Sequence, residues 1–244
     1  MPNTNAVLFI NPRFDLVTEF GYLWTRELID EALNLGLDTT ALEENDARLT
    51  QFQSNLAAKD PILFIGLGHG VQEVFTGQDQ EHLLWTPSAE WGHADSNVNL
   101  VAGRVSYLLS CLTGQVLGPA IAAQPDTYYI GYTEDFIFAG WDPGDKYSQA
   151  FGECTNAIAR TLLRGGTLQD AYNEGIRMFD LWIDIWQQSS DPSAPFIVSA
   201  LLHNREALII YPGMAVPPPR VPVESPFMRI VTSGYGIAIA LAFI

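Results

Sequence analysis

Residues 62–70 read ILFIGLGHG, with Pro61 just before them. Four apolar residues run into a glycine-studded turn, and a histidine sits among the glycines. The apolar run has the length and composition of a strand buried on both faces, and proline is tolerated at a strand's first position. Such strands belong to parallel sheets covered by helices on each side, and functional groups in these folds gather at the carboxyl ends of the strands. His69 stands at that end. The glycines beside it leave room for another chain to approach the backbone.

The rest of the chain repeats this alternation. NAVLFI (5–10) is a short apolar run that NPRFD interrupts. Residues 16–35 carry Leu16, Phe20, Leu23, Trp24, Leu28, Ile29 and Leu33 at helical spacing, with Gly36 as a stop. A polar-edged strand is expected at 38–42 and a helix at 46–57. Residues 71–103 are turn-rich, with strand candidates near 72–76 and 82–86. VSYLLS (105–110) is a second buried strand, ending at Cys111. A short helix weakened by Pro119 and a strand, TYYIGY (127–132), follow. Helices are expected at 146–164 and 167–188, parted at Gly165-Gly166, with Thr167 as N-cap. PFIVSALLHNREALIIYPG reads as one or two strands around a turn at His203-Asn204. The pattern implies an α/β fold with a mostly parallel sheet and helices on both faces.

Composition bounds the function. The 244 residues are 48% hydrophobic and 16% charged, so a sizeable core in one domain is expected. Twenty-eight acidic against 12 basic side chains give a net charge of -16, which repels phosphate backbones and excludes nucleic acid as a partner. Cationic peptides or divalent cations suit that surface better. Two cysteines, Cys111 and Cys154, form no CxxC motif and no disulfide framework; a reduced, cytoplasmic setting is the simplest expectation. MPNTNAVLFINPRF does not read as a signal peptide.

His69 and Cys111 end separate apolar strands 42 positions apart. If those strands are neighbours, the imidazole can act as general acid and base while the thiolate attacks a carbonyl. The N–H groups of Gly70 and Cys111 are candidates for holding the developing oxyanion. Each residue also has a plainer reading: a loop histidine, and a cysteine acting as a small buried hydrophobe. Their matched positions favour the chemical one. Cys154, within FGECTNAIARTLL, reads as core.

HG after an apolar strand, followed some forty residues later by an apolar strand ending in SC, resembles the caspase-like cysteine peptidases: caspases, metacaspases, legumain, gingipain, clostripain, separase and the CHAT domains. The chain has LSCLT in place of QACRG, and Leu109 where metacaspases carry an acid. It is more similar to gingipain, separase and CHAT-type members in three features. These are Ile130-Gly131-Tyr132-Thr133-Glu134-Asp135 after the next strand, the helical AFGECTNAIARTLLRGGTLQDAYNEG, and a last hairpin at LLHNREALIIYPG. The resemblance covers about residues 5–212. It implies a three-layer caspase-like (caspase–hemoglobinase) fold, a cysteine endopeptidase with His69 and Cys111 as its dyad, and a peptide or protein substrate. It also places an acid of the S1 pocket at Asp135, with Glu134 as the neighbouring candidate, for cleavage after Arg or, less well, Lys. The alternative is a catalytically silent interaction or regulatory module of the same fold.

No cofactor and no metal site are expected. Asp142, Asp145, Asp79 and Glu81 are the residues that would attract calcium, but no twelve-residue loop pattern supports it. The spacing of His69, His82 and His93 fits no zinc motif, GLGHG is not a dinucleotide fingerprint, and TSGYG is not a nucleophile elbow. Phe179, Leu181, Trp182, Ile185 and Trp186 form a stripe read as core. Residues 1–212 are taken as the peptidase domain. Residues 213–244 are taken as a proline-rich linker and an apolar tail, whose run Ile237–Ile244 is too short for a membrane-spanning helix. Arg220, Glu224 and Arg229 give the tail a net charge of +1, so it can dock on the acidic body, touch a membrane, or offer self-processing sites after its arginines.

Overall fold

A computed structural model of the protein describes residues 2–212 and, for the backbone, 240–242. The elements follow the alternation of the sequence: β1 (Asn3–Asn11), α1 (Leu16–Asn34), β2 (Asp38–Glu43), α2 (Leu49–Lys59), β3 (Pro61–Leu67), β4 (Val74–Thr76), β5 (His82–Trp85), β6 (Val105–Leu109), α3 (Leu117–Ala122), β7 (Tyr128–Tyr132), β8 (Ile137–Ala139), α4 (Lys146–Leu163), α5 (Leu168–Gln187), α6 (Ala194–Ala207), β9 (Leu208–Tyr211) and β10 (Ala240–Ala242). Six strands form one sheet in the order β2-β1-β3-β6-β7-β9. All its pairings are parallel except β9, which runs antiparallel to β7.

Strand side chains alternate between two cores, as a period of two requires. Val7 and Phe9 of β1, Leu63 and Ile65 of β3, Tyr107 and Leu109 of β6, and Ile130 and Tyr132 of β7 face one core with Phe20, Trp24, Ile158 and Phe179 of the long helices. Leu8, Ile10, Phe64, Leu108 and Tyr129 face the other, with Phe52 and Leu56 of α2, Ile121 of α3 and the β4–β5 hairpin. Burying both faces demands unbroken apolar strands, which is why β3 and β6 were legible from composition. This is the three-layer, mostly parallel arrangement that the resemblance implies.

Local signals act as expected at several helix ends. Gly36, at φ +75°, takes the left-handed position after α1. Thr167 caps α5 in a reciprocal box with Asp170. One expectation fails: residues 194–207 form a helix, α6, and only Leu208–Tyr211 is a strand, so there is no hairpin at His203-Asn204. Pro195 lies in the first turn, where its missing N–H costs nothing, and Ile197, Ala200, Leu201 and Asn204 return at helical spacing to a buried face. The α5 stripe is also narrower than expected. Phe179 and Trp186 are buried, while Leu181 and Ile185 are exposed. Among the described residues no helix is long and apolar enough to cross a membrane. Of the C-terminal segment only Ala240–Ala242 is described, running antiparallel to β8; Arg220 and Arg229 lie outside the described residues.

Candidate active site

Strands β1, β3 and β6 lie side by side in parallel, with Ile10 opposite Gly66 and Leu67 opposite Leu109. His69 stands two residues beyond Leu67, and Cys111 two beyond Leu109. The shared register therefore puts both side chains at the same height on neighbouring strands, whose usual spacing is about 4.8 Å. The Gly68 N–H donates to the Leu109 carbonyl at 3.3 Å, extending the ladder to this level. Gly70 closes the approach. A Cβ built there would stand 2.1 Å from Ser110 Oγ, 2.8 Å from Thr113 Cγ2 and 3.0 Å from the Cys111 carbonyl oxygen. Only glycine lets the two turns lie this close.

The backbone on each side is held from behind. The His69 carbonyl accepts from the Thr76 N–H and the Thr76 hydroxyl, both at 3.0 Å. Gly70 is bridged to Phe75, and the two ladder bonds flanking that bridge fall on His69 and Val71. The Gly70 N–H therefore occupies the non-bonded place of the antiparallel pattern and is not spent on the ladder. After Cys111 the chain turns sharply through Leu112, a non-glycine residue at φ +57°. That conformation is costly, and such strain gathers at functional turns. It is over-determined here: the Leu112 N–H donates to the Glu134 carbonyl, the Thr113 N–H to the Cys111 carbonyl and the Gly114 N–H to the Tyr132 carbonyl. The Leu112 N–H is thus engaged and does not serve as an oxyanion donor.

Cys111 is fully buried, and its Sγ accepts the Phe136 N–H at 3.2 Å. That bond fixes the sulfur against the loop after β7. At Cys154, burial first and then the Glu153 charge push the thiol well above the usual range, so it stays protonated in the core.

The residue that sequence reasoning missed is Asp15. The NPRFD stretch after β1 brings its carboxylate to His69, with Oδ2 2.6 Å from Nε2. Asp15 also caps α1: its Oδ1 accepts the Thr18 N–H and hydroxyl, both at 2.8 Å. Partial burial alone would raise the pKa of this carboxyl. The hydrogen bonds from His69 and Thr18 outweigh it and hold the group at about 2. Its folded pKa lies below the unfolded one, so the stabilisation is complete above about pH 4 and fades as pH falls towards 2. Phe14 packs edge-on against the His69 ring, with centroids 5.7 Å apart. The overlooked signal was an acid at a strand end, the same kind of place as His69 and Cys111.

The loop after β7 forms the far wall. Glu134 is exposed and Asp135 half-buried. His203 Nε2 lies 2.8 Å from the Asp135 carbonyl oxygen. Asn204, fully buried, grips Ile137 at both ends: Oδ1 accepts the Ile137 N–H at 2.9 Å, and Nδ2 donates to the Ile137 carbonyl at 2.6 Å. Successive residues of a strand turn their backbone groups to opposite edges. With Ile137 facing α6, the N–H and carbonyl of Phe138 face the other edge, where Leu241 of β10 lies opposite.

The other candidate groups are occupied elsewhere. His82 and His93 meet, Nδ1 to Nε2 at 2.7 Å, but His69 is not with them. Asp79 and Glu81 pair with Arg48, and Asp145 caps α4. Among the described residues no group of three or more His, Cys, Asp or Glu is arranged to hold a metal ion.

No family model matches the sequence, and no curated protein matches it. Among solved structures the chain is similar to that described as the structure of pro-Sf-caspase-1, at 14% identity and a TM-score of 0.43. The match covers 78% of this chain and 85% of that one.

Proposed function

We propose that the protein is a cysteine endopeptidase working through Cys111 and His69. The observation that carries this reading is their equal height on adjacent parallel strands, with Gly70 pressed against the Cys111 turn. In the resting pair the thiol proton passes to the imidazole. The Sγ thiolate attacks the scissile carbonyl carbon, a C–S bond forms, and the carbonyl electron pair moves to oxygen. The N–H groups of Gly70 and Cys111 receive that oxyanion. On collapse the C–N bond breaks and His69 gives its proton to the leaving amine. Water then attacks the thioester, His69 takes the proton from the water, and the C–S bond breaks to restore the thiolate.

Asp135 is read as the acid that selects a P1 arginine, since the pinned backbone of 134–137 holds it beside the nucleophile turn. A guanidinium meets a carboxylate through two charged hydrogen bonds, which a neutral P1 residue cannot make. The test is a mixed peptide library read by mass spectrometry. Cuts should fall after Arg, and less often Lys. Asp135→Ala should lower kcat/KM on Arg peptides about a hundredfold while sparing the overall fold. An Asp135→Ala enzyme with undiminished preference for Arg would sink the pocket, and an uncut library would sink the peptidase in favour of an interaction module.

The tail is read as a built-in competitor. β10 lies on the edge of β8, whose first residue, Ile137, directly follows the donor to Cys111 Sγ, and strand addition along an edge is how extended peptides dock. Ending the chain after Pro212 should raise kcat/KM about tenfold or more and speed alkylation of Cys111 by iodoacetamide. Unchanged rates would show that β10 does not guard the site.

A further inference from the structure

We infer that Asp15 is the positioning residue of the dyad: it fixes the His69 ring with Nε2 protonated and leaves Nδ1 as the basic atom that serves Cys111. This rests on the peptidase reading above. The inference stands on geometry and topology together. Asp15, His69 and Cys111 follow three consecutive strands of the sheet, β1, β3 and β6. Acid, imidazole and thiol are therefore laid out in that order along the carboxyl edge of the sheet.

The chemistry is restrictive. An ionised carboxylate has no proton and can only accept hydrogen bonds. At 2.6 Å from Asp15 Oδ2, His69 Nε2 must carry the hydrogen. A neutral imidazole has one N–H, so its lone pair is then on Nδ1. When the ring takes the thiol proton it becomes a cation, and the same carboxylate stabilises it in place. Asp15 is itself immobilised, because its other oxygen accepts the backbone N–H of Thr18, a bond that does not depend on the Thr18 side chain. The cap of a helix and the aim of an imidazole are thus fixed by one side chain.

Those two roles separate by mutation. Asparagine is as good an N-cap as aspartate, so Asp15→Asn keeps the helix start but removes the charge and allows an amide N–H to face Nε2. Thr18→Ala does the reverse: it breaks the reciprocal cap and leaves the carboxylate on His69. The expected result for Asp15→Asn is a melting temperature within a few degrees of the parent and a KM within about threefold. Its kcat should fall about a hundredfold to ten-thousandfold. In ¹⁵N-imidazole NMR, with the His69 signal identified by its loss in His69→Gln, the parent should show the Nε2–H form and Asp15→Asn a shift towards Nδ1–H. Thr18→Ala should melt lower, with the parent's tautomer and a kcat within about threefold. An Nδ1–H parent, an unchanged tautomer in Asp15→Asn, or equal loss of kcat in both variants would overturn the inference. Should the parent cleave no peptide, the peptidase reading falls alone, and the ring signal still decides whether Asp15 sets the tautomer.

Discussion

Cys111→Ala is expected to remove peptide cleavage by a factor of about ten thousand or more, leaving the fold in place. The replacement takes away a single buried sulfur and the bond it accepts from the Phe136 N–H, a change that costs about 1–3 kcal/mol. The asymmetry between a small shift in melting and a complete loss of turnover is the signature of a nucleophile. Cys154→Ala supplies the comparison: its thiol is held protonated in the core, so that variant should keep its kcat. Equal activity in parent and Cys111→Ala, measured on the same Arg peptide, would remove the thiol from the mechanism.

The second large effect is expected at Gly70. A methyl there would collide with Ser110 Oγ at 2.1 Å and crowd the Cys111 carbonyl oxygen at 3.0 Å, so the two turns must part. Overpacking of this kind costs about 1–3 kcal/mol. Displacing the histidine turn from the cysteine turn by even about 1 Å should lower kcat about a hundredfold. Gly144→Ala is the control, because a Cβ at Gly144 meets nothing within 4 Å. Chemical denaturation and steady-state kinetics on the pair check both parts. A Gly70→Ala protein as stable and active as Gly144→Ala would mean that the close approach is not required.

The sheet was legible because burial on both faces leaves a strand few polar positions: β3 shows that pattern without interruption, and β6 breaks it only at the buried Ser106 and Tyr107. His69 and Cys111 were legible for the same reason: each lies two residues past the end of such a strand. The last helix was not. PFIVSALLHNREALII is apolar and β-branched enough to pass for strand, and what makes it helical is its packing through Ile197, Ala200 and Leu201. Misreading α6 also hid Asn204, whose amide matters only once Ile137 lies beside it. Asp15 escaped because an aspartate before a helix is fully explained as a cap; its second oxygen acquires a task only when β1 and β3 pair.

The grip of Asn204 on Ile137 has a consequence for the order in which the protein is made. The wall beside the cysteine is anchored by a residue near the end of the body, and the strand completing that edge of the sheet, β9, comes later still. A chain emerging amino-end first exposes Asp15, His69 and Cys111 in turn, but the wall beside Cys111 is not anchored until the segment beyond residue 204 has cleared the ribosome. On the peptidase reading, activity arrives only with completion of the body, and a fragment released earlier carries the three side chains without the wall that Asn204 anchors.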